Sequence, residues 1–227
     1  MNALIIACIA AGSIVLVFLM LNIINIIQAG SRKAHGLSMA EILGKDPAAS
    51  SYDDVEKLSR RDKIRLFIAA ETPRIEELDG EYDARLLGGG VLGKSTALFT
   101  HHVFPTGGIT LRTKWVGKAF KKSGGNTGTG YNIFEEDTPG GKKLLRIRRI
   151  DTRIGPSRVV KDGKDSFLID YGALNGGTVR SMRDELRKIN DTLYIGAGYM
   201  ALGGGPANPG PFMLIGRPRP WKGPDQE

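Results

Sequence analysis

A chain of 227 residues has room for one well-packed domain plus attachments, and its single cysteine, Cys8, excludes an intrachain disulfide framework and a cysteine-based zinc site. Lys and Arg outnumber Asp and Glu by 32 to 24, a net charge of +8. The 31 glycines are spread between short apolar runs, which excludes a collagen-like repeat and favours tight turns between antiparallel strands.

Residues 3–21, ALIIACIAAGSIVLVFLML, carry no charge, and the apolar run continues to Ile27. At about 1.5 Å per residue this crosses a hydrocarbon core about 30 Å thick, so residues 1–29 are predicted to form one transmembrane helix. A basic segment ahead of the run is missing and the run is longer than a signal's, which favours a retained anchor over a cleaved leader. Residues 5–8 have the letters of a lipoprotein box, but most of the apolar segment follows Cys8, and lipidation is not expected. Arg32 and Lys33 come directly after the helix; the positive-inside rule then places a single-pass protein with its soluble domain on the cytoplasmic side. Asn22 and Asn25 share a helix face near the membrane end, placed to meet headgroups and water or to bond a partner helix.

Residues 30–58 are rich in Gly, Ser, Ala and Pro and read as a tether with short helical turns, one of them opened by the Ser38/Glu41 capping box. Ser59 and Asp62 open a better helix, SRRDKIRLFIAAE, whose Ile64, Phe67 and Ile68 form an apolar stripe before Pro73 halts it. From Asp79 the pattern changes to short alternating runs, with candidate strands at 81–87, 109–120, 131–136, 143–153, 166–171, 192–202 and 211–216. In the second, Ile109, Leu111, Thr113 and Trp115 face one side and Arg112 and Lys114 the other. SGGN (123–126), PGGK (139–142) and DGK (162–164) read as turns. Ser181 and Asp184 form a capping box ahead of SMRDELRKI, where Met182, Leu186 and Ile189 recur at helical spacing, so a late helix is predicted. The sum is a mainly β fold: a closed or nearly closed antiparallel barrel within 59–217, with one or two flanking helices and a preceding transmembrane helix. Residues 218–227 form an extended Pro-rich tail in which Trp221 can dock on a partner or at the interface.

Residues 88–95, GGGVLGKS, satisfy the phosphate-loop pattern GxxxxGK(S/T) through Gly88, Gly93, Lys94 and Ser95. The required setting is missing. A parallel sheet needs crossover helices that this region does not supply before residue 178, and Pro105 with two glycines cuts short any helix after Ser95. EYDARLL ahead of the motif also alternates instead of running continuously apolar. The expectation is a loop after the first strand and no nucleotide triphosphate site.

LDGEYDARLL (78–87), MRDELRKINDTLYIGAGYM (182–200) and the following PFMLIG give the chain a resemblance, over roughly residues 64–217, to lipocalin-like, calycin-type proteins. The resemblance rests on Gly80 with an aromatic two residues later, Tyr82, and on a late arginine-aspartate-glutamate helix leading into LYIG. Tyr82 stands where tryptophan is usual, and the disulfides are missing. What the resemblance implies is a barrel with an internal apolar cavity.

Tyr82, Trp115, Tyr171 and Tyr194 sit on predicted strands and either line such a cavity or fill the interior. His101 and His102 are adjacent and would point to opposite strand faces; with His35 they make no convincing metal site. A Ser/His/Asp arrangement does not appear, and Glu76, Glu77, Glu135 and Glu136 read as solvated turns, so enzymatic activity, a cofactor and a metal are not expected. Residues 112–149 hold ten Lys or Arg against three acids, a positive field that an anchored protein turns toward lipid headgroups rather than nucleic acid. Within it, alternation puts Arg146 and Arg148 on one solvated face, opposite Leu145 and Ile147. Two functions fit: a membrane-anchored binding module for a lipid, quinone or pigment, or an accessory subunit of a larger membrane complex, joined through the N-terminal helix, with a filled barrel.

Overall fold

In the computed structural model, which describes residues 3–225, the short alternating segments pair in sequence order into one closed antiparallel ring. Met1, Asn2, Gln226 and Glu227, the ends of the expected anchor and tail, lie outside the described residues. The strands are β1 (Gly80–Leu86), β2 (Thr113–Gly124), β3 (Thr127–Thr138), β4 (Gly141–Pro156), β5 (Asp165–Asp170), β6 (Arg183–Asn190), β7 (Leu193–Tyr199) and β8 (Gly210–Arg219). Closure comes from β1 against β8, with Leu86 opposite Phe212 and Ala84 opposite Leu214, so no edge remains to recruit another chain.

Side-chain alternation sorts the buried residues into three layers. Inside the ring lie Tyr82, Trp115, Phe120, Phe134, Phe167, Leu186, Tyr194 and Phe212. Phe212 lies across Gly196 on the neighbouring strand; a Cβ at Gly196 would come within 2.2 Å of the ring, so the glycine makes room for the aromatic. Outside β6, β7 and β8 sits a helical layer, and outside β2 and β3 the residues Ala119, Tyr131 and Ile133 are covered by the tail, where Trp221 packs 4.6 Å from the Tyr131 ring. Trp221 therefore packs on the chain's own barrel, and the extended tail is strapped down where Asp225 N–H donates to the Arg146 carbonyl at 2.8 Å.

The helical layer grows from the segment read as a tether. α1 (Ala3–Ala29) is about 40 Å long by its rise per residue, and its Ala7–Ala29 portion, with mean hydropathy 2.5, is long and apolar enough to cross a membrane. Between 30 and 58 the chain folds into α2 (Met39–Leu43), capped by Ser38 and Glu41 as the sequence suggests, a 3-10 turn at Pro47–Ala49, and α3 (Tyr52–Glu56), which buries Val55. Asn190 at the end of β6 donates to the Pro47 and Ser50 carbonyls at 2.8 and 3.2 Å, holding this segment on the barrel. α4 (Arg60–Ala69) starts at the Ser59 cap, which accepts the Asp62 N–H at 3.1 Å, and lays Ile64, Phe67 and Ile68 on Ile195 and Met213.

Three segments depart from the sequence reading. The run expected as a late helix at SMRDELRKI is β6, preceded by a 3-10 turn at Gly177–Ser181. Both of its faces are covered: Asp184 and Leu186 point into the ring, while Glu185, Arg187 and Ile189 face the helical layer and the β4–β5 connection, so buried charges replace the expected alternation. The second strand begins at Thr113, because residues 99–112 form a tight π turn and loop that leave Ile109 and Leu111 at 81% and 75% exposure. In β4 a bulge falls opposite Tyr131, where Gly130 pairs with Ile150 and Asn132 with Ile147, and Arg148 takes φ 57°. Arg148 is thereby turned off the face it was expected to share with Arg146: it donates to the Phe104 carbonyl at 2.9 Å, while Arg146 pairs outside with Glu81 at 2.7 Å.

Arg187 is the clamp between barrel and helices. It is fully buried, forms a bidentate pair with Asp162 at 2.6 and 3.1 Å, and caps the C-terminal carbonyls of α4 at Phe67 and Ile68. Arg187→Met leaves the Asp162 carboxylate buried without its cation, and chemical denaturation in detergent is expected to show a loss of about 3–5 kcal/mol. Adding Asp162→Leu should recover most of that loss.

Candidate functional site

One end of the ring is closed and the other is open. The closed end is filled by aromatic packing, Tyr82 against Tyr194 at 5.9 Å and Phe120 against Phe167 at 5.1 Å, and is plugged by Ile75 and Leu78 from the 3-10 turn ahead of β1. Tyr82 donates to the Glu77 carbonyl of that turn at 2.8 Å. The open end is framed by three connections, 87–112, 171–182 and 200–209, and by the β3–β4 hairpin. A cavity of about 1110 Å³ opens there: its inner part enters the ring between Trp115, Phe104, Phe212 and Met182, and its outer part is a groove beside the helices reached by Tyr52, Arg85 and Leu87. Of the four aromatics singled out from sequence, Trp115 and Tyr171 reach this cavity, while Tyr82 and Tyr194 belong to the filled end.

Sequence reasoning missed the polar group on the cavity wall. Lys118, three residues deeper along β2 than Trp115, is 2% exposed; its ammonium donates to Asn132 Oδ1 at 2.7 Å and to the Tyr171 hydroxyl, and lies 2.8 Å from Asp184 Oδ2. Tyr171 in turn donates to Asp184 at 2.8 Å, and the Trp115 indole N–H donates to Asn132 at 3.2 Å. The ammonium also sits 5.1 to 5.6 Å from the Tyr171, Trp115 and Phe212 rings. Burial holds Lys118 below the ordinary lysine range against the opposing pull of Asp184, and the same burial with the Asp184 charge pushes the Tyr171 hydroxyl well up. The arrangement is a charge pair of zero net charge whose four side chains offer one polar spot in an aromatic-walled space. Alternation counted from Trp115 would put Lys118 on the outer face with Arg112 and Lys114; the bulge between Trp115 and Gly117 turns it inward with Phe120, and no local pattern announces that bulge.

At the open end the wall is completed by α1. Phe18, Asn22 and Asn25 line the cavity. Both asparagines are buried and bond to the chain's own loop instead of a headgroup or a partner helix: Asn25 donates to Asn208 Oδ1 at 2.6 Å and Asn208 donates to Asn22 Oδ1 at 3.0 Å. Arg60, at the start of α4, joins them by donating to the Asn25 carbonyl at 3.2 Å, Asn208 Oδ1 at 3.0 Å and the Pro209 carbonyl at 2.8 Å. Burial lowers the Arg60 guanidinium to about 10. Arg32 donates to the Pro206 carbonyl, tying the end of α1 to the same loop, whereas Lys33 is exposed.

The phosphate-loop letters fall beside this junction. A short helix does form, α5 (Gly93–Leu98), passing into the π turn Phe99–Val103, but β1 ahead of it is antiparallel to both neighbours. The loop amides that would face phosphate face α1: Val91 N–H donates to Gln28 Oε1 at 3.0 Å and Leu92 N–H lies 3.5 Å from Asn25 Oδ1. Lys94 is exposed. Gly90 (φ +73°) passes so close to α1 that a Cβ would be 2.2 Å from Asn25 Oδ1 and 2.7 Å from Arg60 Cδ. Of the histidines, His35 meets the Arg65 carbonyl at 3.1 Å; His101 lines the cavity and accepts the Trp115 backbone N–H on Nδ1 at 3.1 Å. Among the described residues no cluster of His, Cys, Asp and Glu could hold a metal.

Neither a family model nor a curated protein matches this chain. Among solved structures, a crystal structure of a protein from Thermomonospora curvata is similar at 17% identity over 68% of this chain and 84% of that chain, with a TM-score of 0.43.

Two expectations follow from the junction and the wall. Gly90→Ala forces a side chain into a left-handed position against Asn25 and should cost about 1–3 kcal/mol; hydrogen exchange at Val91 and Leu92 is expected to rise while β5 to β7 stay protected. His101 is held below 6.5 by burial, with His102 and Lys114 adding to the effect, so the unfolded chain takes up this proton before the folded one. Stability that is complete above pH 6.5 is therefore lost as pH falls through the lower folded value. Denaturation midpoints between pH 7.5 and 5 should fall more for the native chain than for His101→Asn, whose Oδ1 can still accept from Trp115.

Proposed function

We propose that the chain is a membrane-anchored, lipocalin-like binding module for an apolar or amphipathic small molecule of the lipid, quinone or pigment class, with its soluble domain on the cytoplasmic side. The observation that carries this reading is the cavity of about 1110 Å³ that leads from the groove beside α1 into the ring, large enough for such a molecule, while the opposite end of the ring is packed solid. Aromatic and aliphatic walls suit a tail or ring system, and the Lys118, Tyr171 and Asp184 cluster suits one carbonyl, hydroxyl or charged head group. A buried charge pair of this kind is costly to desolvate, and its retention beside an open cavity fits a role in ligand orientation. The chain acts in this reading as a carrier or receptor and not as an enzyme. Arg32 and Lys33 after α1 support the cytoplasmic side.

Native mass spectrometry of the full chain released from detergent tests the proposal. One small molecule per chain is expected, lost in Ala84→Phe, which fills the cavity from β1 and should leave the thermal melt within a few degrees. Bare chains, or chains with a stoichiometric protein partner and no small molecule, would sink it.

A further inference from the structure

The exposed apolar residues of this protein are not scattered. Among the described residues outside α1, seven large apolar side chains are exposed, and Leu37 alone of them lies away from the open end. Val91 (43%), Leu98 (57%), Ile109 (81%) and Leu111 (75%) lie on the connection between β1 and β2, Leu202 (68%) on that between β7 and β8, and Leu144 (41%) near the tip of the β3–β4 hairpin. These segments frame the cavity mouth. The same mouth is where α1 meets the barrel, through Asn22, Asn25, Arg60 and Asn208. Phe18, one turn before Asn22 on α1, lines the cavity yet is 45% exposed, so the helix that is long and apolar enough to cross a bilayer also supplies one side of the entrance. Around the rim stand Arg112, Lys114 and Lys143, all exposed, cations of the kind that phospholipid headgroups attract. Scattered exposed apolar residues are ordinary, whereas a ring of them around one opening, beside a spanning helix, marks a surface with an apolar partner.

We propose that this rim is seated in the bilayer and that the cavity opens sideways into it, so that the bound molecule is a membrane lipid that enters past Phe18 without passing through water. The partner of the rim is the hydrocarbon edge of the same membrane that holds α1. The seating of the rim stands independently of the proposed function; the identity of the occupant rests on it.

The test uses the full chain in phosphatidylcholine vesicles whose acyl chains are brominated at known depths. On a Cys8→Ala background, single cysteines replacing Leu98, Leu111 or Leu202 carry a bimane label, with Ser123 on the β2–β3 hairpin at the opposite end as control. The rim labels are expected to be quenched several-fold more by brominated chains than by aqueous iodide, and the Ser123 label to show the reverse. Rim labels open to iodide would place the mouth in water, and rim labels shielded from both quenchers would mean that a protein surface, such as a second copy, covers it; either result overturns the seating. For entry, Trp221→Phe leaves Trp115 as the single tryptophan of the two. Quenching of Trp115, which is 3% exposed and inside the ring, requires a brominated chain within the cavity. Quenched rim labels with an unquenched Trp115 would refute lipid uptake while leaving the seating, and a small molecule found by native mass spectrometry with rim labels in water would refute this inference while leaving the binding function.

Discussion

The Arg60 guanidinium is the point where α1, the helical layer and the barrel meet. Its donors go to the Asn25 carbonyl, the Asn208 side chain and the Pro209 carbonyl, and among the described residues no carboxylate lies within ion-pair distance of it. A cation buried on neutral acceptors is expensive to keep, and it survives here because three backbone and amide oxygens, one from α1 and two from the loop ahead of β8, converge on it. The convergence fixes α1 against α4 and the 200–209 loop against both. The α1 side of the cavity mouth depends on this node.

The interior of the ring is divided by volume. Toward the start of β1 the inward positions are Tyr82, Phe120, Phe167 and Tyr194, which close-pack as small barrels commonly do. Toward the end of β1 the inward positions shrink to Ala84 and to the glycines of β7, and Trp115 and Phe212, packed edge to face at 5.6 Å, wall the space that results. The two readings available from sequence, a filled barrel and a hollow one, each describe one half of the molecule.

Much of this architecture was legible in the sequence, because the relevant signals are local. The charge-free run of α1, the Ser38 and Ser59 caps, the glycine turns at 123–126 and 139–142 and the short aromatic and aliphatic runs of β3 and β5 need only neighbouring residues to be read. β6 was not legible, because a strand buried on both faces loses its alternation, and its Asp184, Glu185 and Arg187 find partners far away in the chain at Lys118, in the 157–159 segment and at Asp162. The same long reach hid the site. Lys118 and Asp184 are 66 positions apart, Asn25 and Asn208 are 183 apart, and neither pair carries a spacing that a motif could record. The phosphate-loop letters show the converse: the glycines and amides of 88–92 do have a polar partner, but it is the face of α1 formed by Asn25 and Gln28.

The 3-10 turn at Ile75–Glu77 sits under the ring like a stopper, with Tyr82 bonded to its Glu77 carbonyl and Ile75 and Leu78 pressed into the aromatic packing above. A vessel with a fixed base has a single door. In the proposed reading an occupant leaves by the way it came, so arrival and departure share one barrier, as suits holding a cargo at one membrane face rather than passing it from one compartment to the next.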